Sequence, residues 1–472
     1  MSFITPEALY TILFLLVWLF RYFRLLINIA AFFRFEPRFA PTKPRFTPDD
    51  VTFLMPTTFS DPGETIKCLK GIQKCRPAAI IIVTSNAKLE TVKTAVTDAG
   101  IINTVVLGVS KLNKRRQMLV GLEHIKTDIT FCVDDDVFYP SVNLPQHLLN
   151  CFEDPRVGAA GPRQRARRDA YPSIWNFLGI SYLERRNFNT GSTNCIDGGL
   201  STLSGRTQAV RTAILKNKEF YHYFRNDSFL GRKLTVDDDK ALTRFIYSRG
   251  WKIELNFHEE CTIETTFETG FGFIGQCLRW ARGHWRGNLI VMAKESYWYK
   301  THTWTLYSTY ISQFQTPALL VDGFLFWLLH RATAQANATV KSDAFQLLAF
   351  WIFFTKIVKL VPHFLKYPQD VVFIPVSILF SYLHGIINVY ALLTTHKTIW
   401  GSRGCSVDED VPEDKYTPDD MPMDALRPQD LRNTNFRIPR GMVTKTELQR
   451  SQEMFIYRCN LTKQIFEPSK EY

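Results

Sequence analysis

Two runs of three aspartates, Asp134-Asp135-Asp136 and Asp237-Asp238-Asp239, are the residues best suited by type to chemistry. Three adjacent carboxylates repel one another unless a cation neutralises them. Hard divalent ions such as Mg2+ take oxygen ligands of this kind and are commonly held by one or two carboxylates together with substrate phosphates. An isolated triplet can equally be an acidic turn capping a strand, and the second triplet can be the acidic first turn of a helix. A third constellation, Gln276-Cys277-Leu278-Arg279-Trp280-Ala281-Arg282-Gly283-His284-Trp285-Arg286, repeats arginine at helical spacing with two tryptophans close by. That is also the pattern of a helix lying in a membrane interface, with cations toward the headgroups. Lys111-Leu112-Asn113-Lys114-Arg115-Arg116 puts basic groups at a helix start, where the dipole favours anions. A bound phosphate accounts for them better than local stability does, the alternative being a solvated basic turn.

These groups need elements to aim them. Ile129 to Val133 is rich in β-branched residues and is halted by the acids and by Pro140, so it reads as a strand ending in the first triplet. Val51 to Met55, Ala78 to Val83 and Ile101 to Leu107 are further strands; Glu64 to Gln73 and Gln117 to Ile125 have helical spacing. Strands alternating with helices predict a doubly wound α/β domain with right-handed crossovers. Ligands bind beyond the carboxyl ends of such strands, so Pro56-Thr57-Thr58, Thr84-Ser85-Asn86 and the first triplet should share one face. Gly198-Gly199-Leu200 and Ser204-Gly205-Arg206 precede the second triplet; glycine there permits close backbone approach or a simple turn.

The formal charge of +12 over 472 residues suits contact with anionic lipid, nucleic acid or a polyanionic substrate. Nine cysteines without a Cys-x-x-Cys pair suggest neither a zinc site nor a complete disulfide framework, so reduced thiols are expected. Leu9 to Phe20 is unbroken apolar sequence preceded only by the charge of Glu7, unlike a signal peptide. Residues 1–33 therefore read as a retained anchor, with an interfacial helix as the alternative. Arg21, Arg24, Arg34, Arg38, Lys43 and Arg45 follow its core and put the next domain in the cytosol by the positive-inside rule. Four prolines mark 34–50 as a linker. Leu306 to His330 is long enough to span, as is Phe345 to Val361 with its flanks; Asn337-Ala338-Thr339 between them is a sequon consistent with an outer turn. Lys356, Lys359, His363 and Lys366 return the chain to a basic, cytosolic side. The charged, proline-containing tail from Cys405 is expected to be irregular.

In order and spacing these motifs resemble the inverting family 2 glycosyltransferases, in particular the membrane-embedded hyaluronan, chitin and cellulose synthases. The nearest resemblance is to the fungal type 2 glycosyltransferases, capsule-associated and hyaluronan-synthase-like. The match runs from about Val51 to Gly404, and Gln276-x-x-Arg279-Trp280 behind two acid motifs is its most specific part. The resemblance implies a GT-A, Rossmann-like cytosolic catalytic domain (51–270), an interfacial helix (271–300), membrane helices with an interfacial or re-entrant segment at Val371 to Leu393 (301–396), and a gating-loop motif with tail (397–472). It implies Asp239 as the base, with Asp238 its partner. Thr57, Ser85, Lys114, Asp134 and Asp136 would bind a UDP-sugar, with Mg2+ or Mn2+ on Asp134 and Asp136. Gly199, Ser204, Gln276, Arg279, Trp280, Trp400 and Arg403 would meet acceptor or diphosphate. Implied partners are a polysaccharide or glycolipid acceptor and membrane lipid, not nucleic acid, with the plasma membrane as location. Two departures bear on base recognition: Thr84-Ser85-Asn86 stands where many relatives have Asp-Gly, and Asn113 replaces a glycine. A processive synthase and a non-processive, ceramide-glucosyltransferase-like enzyme share the acid motifs and the Arg-Trp element, and a channel distinguishes them. The basic run Gly161 to Arg168 would meet acidic lipid, acidic sugar or water.

Overall fold

The computed structural model describes residues 5–398 and 427–429. Its centre is a nine-stranded sheet in the order β3-β2-β1-β4-β7-β6-β11-β5, with β10 paired to β6. The strands are β1 Val51–Pro56, β2 Ala79–Ser85, β3 Thr104–Val109, β4 Ile129–Val133, β5 Val137–Phe138, β6 Val157–Ala166, β7 Thr207–Arg211, β10 Lys252–Asn256 and β11 Thr262–Thr265, while β8 Ser228–Phe229 and β9 Arg232–Lys233 form a separate hairpin. All five residues of β4 are buried, because β1 flanks it in parallel and β7 antiparallel. Phe131 and Val133 enter one core with Phe53 and Met55, and Cys132 enters the other with Leu54 and Val210. Burial on both faces is why β1 and β2 read as continuous apolar runs rather than alternating ones.

The doubly wound expectation holds for β3-β2-β1-β4, which are all parallel. Beyond them the sheet is mixed: β7 runs antiparallel to β4 and to β6, so the α/β domain is only half of the doubly wound kind. The helix Lys114–Glu123 lies close on β1 and β2, since a Cβ at Gly121 would sit 2.2 Å from Leu54 Cδ1. The proline-rich 34–50 segment does not hang free. Arg38 forms a bidentate pair with Glu254 of β10, at 2.9 Å for each bond.

Three helical runs are long and apolar enough to cross a membrane: Pro6–Phe33, Ala338–Lys366 and Pro368–Leu393. One expectation changes here. Leu306 to His330 is not one span, because a π turn (Leu306–Tyr310), a 3-10 turn (Ile311–Gln315) and Pro317 break it. The helix that remains, Ala318–Ala332, has 15 residues, about 22 Å of rise against the ~30 Å of a bilayer core. Val371 to Leu393, expected to be interfacial or re-entrant, belongs to the run Pro368–Leu393, which is long and apolar enough to cross. One group of charges inside this bundle is paired: Asp322 accepts from Arg21 at 2.7 Å and from Tyr382 at 3.1 Å, and lies 3.2 Å from Lys356. Buried ions persist in apolar surroundings when partnered in this way. The seven cysteines among the described residues are free thiols.

Candidate active site

Strand β4 delivers the first triplet to the edge of a cavity of about 880 Å³. Asp134 N donates to Arg206 O at 3.3 Å, and Asp135 accepts from Thr57 Oγ1 at 2.5 Å, so the loop after β1 holds the triplet's middle member. Asn113 caps the next helix, accepting from Arg116 N at 3.2 Å, and this places Lys114 in its first turn. Lys114 Nζ then lies 2.7 Å from Asp134 Oδ1 and 3.0 Å from Asp238 Oδ2, one cation between the two triplets. Burial works against the Lys114 charge, but Asp134 and Asp238 hold its pKa well above the ordinary value. Asp134 is likewise buried, yet Lys114 keeps its carboxyl below the usual range.

The second triplet is fixed by residues far along the chain. Asp237 adopts a left-handed conformation, φ 59°, uncommon for a residue with a side chain. Arg286 holds its carboxylate with two bonds of 2.6 and 3.1 Å, while Arg115 Nη2 donates to Val236 O at 2.6 Å and Asp237 O at 3.3 Å. The helix Phe271–Lys294 approaches through Gly283 and Gly287. A Cβ at Gly283 would fall 2.5 Å from Asp237 Oδ1, and one at Gly287 2.7 Å from Lys240 Cδ, so the helix can lie against the triplet only where it lacks side chains.

Asp238 and Asp239 begin the helix Asp238–Ser248 and face the cavity. Burial, and after it the charge of Asp238, push the Asp239 carboxyl up to about 6. Its neighbour Lys240 donates to Thr202 Oγ1 at 2.6 Å and lies 3.1 Å from His284 Nδ1; burial lowers its pKa to about 8. Lys240 in turn keeps His284 well below the ordinary histidine range. Two groups able to carry a proton near neutral pH therefore adjoin in one cavity, which is the electrostatic pattern of acid–base sites.

Gln276, Arg279 and Trp280 line the same cavity from the helix Phe271–Lys294. The Trp280 ring lies against Tyr182, centroids 5.1 Å apart, and under Arg206 at 5.3 Å. Gln276 Oε1 is buried with no hydrogen-bond partner among the described residues, an acceptor free for a ligand hydroxyl. The arginine face of this helix points inward, not to headgroups: Arg282 donates to Thr394 Oγ1 at 3.0 Å, Arg286 holds Asp237, and Trp285 Nε1 donates to Asn388 O at 3.0 Å.

Of the residues singled out by sequence, Thr57, Lys114, Asp134, Asp136, Ser204, Asp238, Asp239, Gln276, Arg279 and Trp280 all line this cavity. Ser85 and Gly199 do not. Ser85 ends β2 in register with Val109 and turns into Asn86–Lys88; from that turn Lys88 Nζ donates to Thr58 O and Phe59 O, so Thr58, Ser60 and Asp61 occupy the rim instead. Gly199 packs on Thr305, whose Oγ1 would be 2.1 Å from a Cβ there. Trp400 and Arg403 lie outside the described residues. The basic run at 111–116 divides: Lys114 serves the cavity, whereas Arg115 is buried against Asp227 and the backbone of the second triplet. Likewise Arg163 and Arg168 are not free for lipid or sugar, since they pair with Glu184 at 3.0 Å and Asp370 at 2.8 Å. Sequence reading passed over Arg286 as one of three like arginines, and Lys240 and His284 carried no motif; only the fold brings them to Asp237 and Asp239.

The family model described as glycosyltransferase like family 2 matches residues 48–283. A type 2 glycosyltransferase of Zymoseptoria tritici is 40% identical over 384 residues, covering 81% of this chain and 81% of its own. A hyaluronan synthase of Streptococcus pyogenes is 24% identical over 313 residues, 65% of this chain and 70% of its own. Among solved structures, a mannosyltransferase from Pyrobaculum calidifontis, determined with GDP-Man and Mn2+, is similar over 82% of this chain and 99% of its own at a TM-score of 0.48 and 14% identity. With two carboxylate triplets, Lys114 and the Gln276-Arg279-Trp280 set around one cavity, and with this family match, the chain belongs to glycosyltransferase family 2 and is a glycosyltransferase.

Proposed function

We propose that the enzyme transfers a sugar from a UDP-sugar to a growing β-linked polysaccharide with inversion, adds units processively and passes the product between its apolar helices. The observation that carries this reading is the continuity of one cavity from the first triplet, past Asp239 and Trp280, to Ser308, Ser381 and Asn388 between those helices. Its location would be the plasma membrane, with the catalytic domain in the cytosol.

Inversion needs a base on the acceptor hydroxyl, on the face opposite the leaving group. Asp239 is our choice: with a carboxyl at about 6 it is ionised at neutral pH yet more basic than an ordinary aspartate. Asp238 keeps it so by like charge. Lys114 and Arg279 would bind the donor diphosphate, Lys114 exchanging its bond to Asp134 for one to phosphate, and Thr57 steadies the triplet through Asp135. Asp134 and Asp136 would hold Mg2+ or Mn2+. Their all-oxygen donors in an acid-rich cavity fit such an ion, and when bound it supplies Lewis-acid stabilisation of the leaving diphosphate. Trp280 would stack on the acceptor sugar, Gln276 and Ser204 would bond its hydroxyls, and Trp400 with Arg403 would form the gating loop. Incubation of the purified enzyme with radiolabelled UDP-GlcNAc, UDP-glucose or UDP-glucuronate, with sizing of the product, tests this. Long polymer is expected; short glycolipid alone would overturn processivity in favour of a lipid glycosyltransferase.

A further inference from the structure

The carboxylates lining the cavity are confined to one side of it. Every lining carboxylate, from Asp61 and Glu64 through the two triplets to Glu268, comes from the catalytic domain. The opposite wall, between the helix Ile174–Asp197 and the apolar helices, carries Arg24, Arg185, Arg186, Lys356 and Lys359 and no carboxylate. Lys356 alone has an acid partner, Asp322. The other four contact neutral oxygens: Arg24 donates to Ser308 O at 3.0 Å, Arg185 to Ser377 Oγ at 2.8 Å, Arg186 to Thr202 O at 3.2 Å, and Lys359 to Asn189 Oδ1 at 2.7 Å. Arg24, Arg185 and Lys359 have no carboxylate partner among the described residues, and Arg186 feels the charge of Asp239 without an ion pair to it. Such oxygens satisfy hydrogen bonds without cancelling charge, and like cations grouped in a partly enclosed cavity repel one another unless an anion joins them. Between them the wall offers Ser308, Ser312, Gln313, Thr316, Ser381 and Asn388, hydroxyls and amides suited to sugar hydroxyls and unsuited to a hydrocarbon tail.

Building on the proposed transfer to a polysaccharide, we infer that the acceptor is an acidic glycan whose carboxylates run along Arg186, Arg185, Lys359 and Arg24. A neutral chain would leave Arg185, Lys359 and Arg24 uncompensated, and a lipid phosphate would compensate one point of the row while placing its tail on a polar wall.

The test is equilibrium binding to the full-length protein in nanodiscs. Three probes are compared: a β-linked hexasaccharide with a uronate in each repeat, the same hexasaccharide with its carboxyls reduced to alcohols, and a polyprenyl phosphate. The acidic hexasaccharide should bind at least about tenfold tighter than the reduced one, with the advantage shrinking as salt rises. Lys359→Gln and Arg185→Gln should each weaken the acidic probe about tenfold and leave the reduced probe unchanged, while Lys359→Arg keeps wild-type affinity and shows that the position tolerates replacement. Equal affinity for the two hexasaccharides, binding of neither, or displacement by polyprenyl phosphate overturns the inference. Nucleoside diphosphate release by the wild type, followed alongside, separates the two readings: no release from any donor defeats the transfer proposal, whereas release without acid preference defeats this inference alone.

Discussion

Replacing Asp239 by Asn sets catalysis against stability at a single atom pair. Burial and Asp238 raise the Asp239 carboxyl from 3.8 to about 6, against the opposing pull of Lys240 and Lys114. At about 1.4 kcal/mol per unit, a shift of roughly two units means that the ionised carboxylate costs the folded protein about 3 kcal/mol. The folded pKa lies above the unfolded one, so this cost is absent below about pH 4, grows as pH rises to about 6, and is constant above that. Asp239→Asn removes it while keeping the shape. The variant should therefore melt at a higher temperature than wild type at pH 7.5 in detergent, and the two should converge toward pH 4. Turnover should move the other way. Wild-type rate should fall about tenfold per unit below pH 6 and level off above it, and the Asn variant should lose 100-fold or more at every pH, the usual worth of a positioned base. Thermal melts and a coupled nucleoside diphosphate assay across pH 5–8 measure both. An Asn variant that is less stable than wild type at pH 7.5 and still turns over would refute the electrostatic account and the assignment of the base together.

Lys114→Ala leaves Asp134 and Asp238 facing each other without their shared cation; donor kcat/KM should fall 100-fold or so, read by initial rates against donor concentration. Arg286→Ala strips the bidentate partner from partly buried Asp237 in its left-handed conformation, and a loss of about 2–3 kcal/mol should appear as a lowered melting temperature, with Arg286→Lys recovering only part. Chelation with EDTA should abolish turnover, and Mg2+ or Mn2+ should restore it; full activity after exhaustive chelation would remove the metal from Asp134 and Asp136.

The first triplet was legible because a fully buried strand leaves an unbroken apolar run, and acids at its end mark the strand's carboxyl edge. The helices carrying Asp239 and Trp280 announced themselves by periodicity. What sequence could not convey was pairing across distance. Nothing local couples Arg286 to Asp237 or Arg115 to Val236, contacts separated by 49 and 121 residues. The break at Leu306 to Pro317 was hidden for a different reason: its composition is apolar enough for a span, and only Pro317 with the π and 3-10 turns disrupts the helix. Ser85 lies off the cavity because β2 runs directly into the turn Asn86–Lys88, whose Lys88 ties the Thr58–Phe59 backbone across the rim.

The most direct measurement is the anomeric configuration of the bond formed from an α-linked UDP-sugar, read by proton NMR of the product. Displacement with Asp239 as base predicts a β linkage. An α linkage would mean retention, and would contradict the account of this cavity as an inverting site.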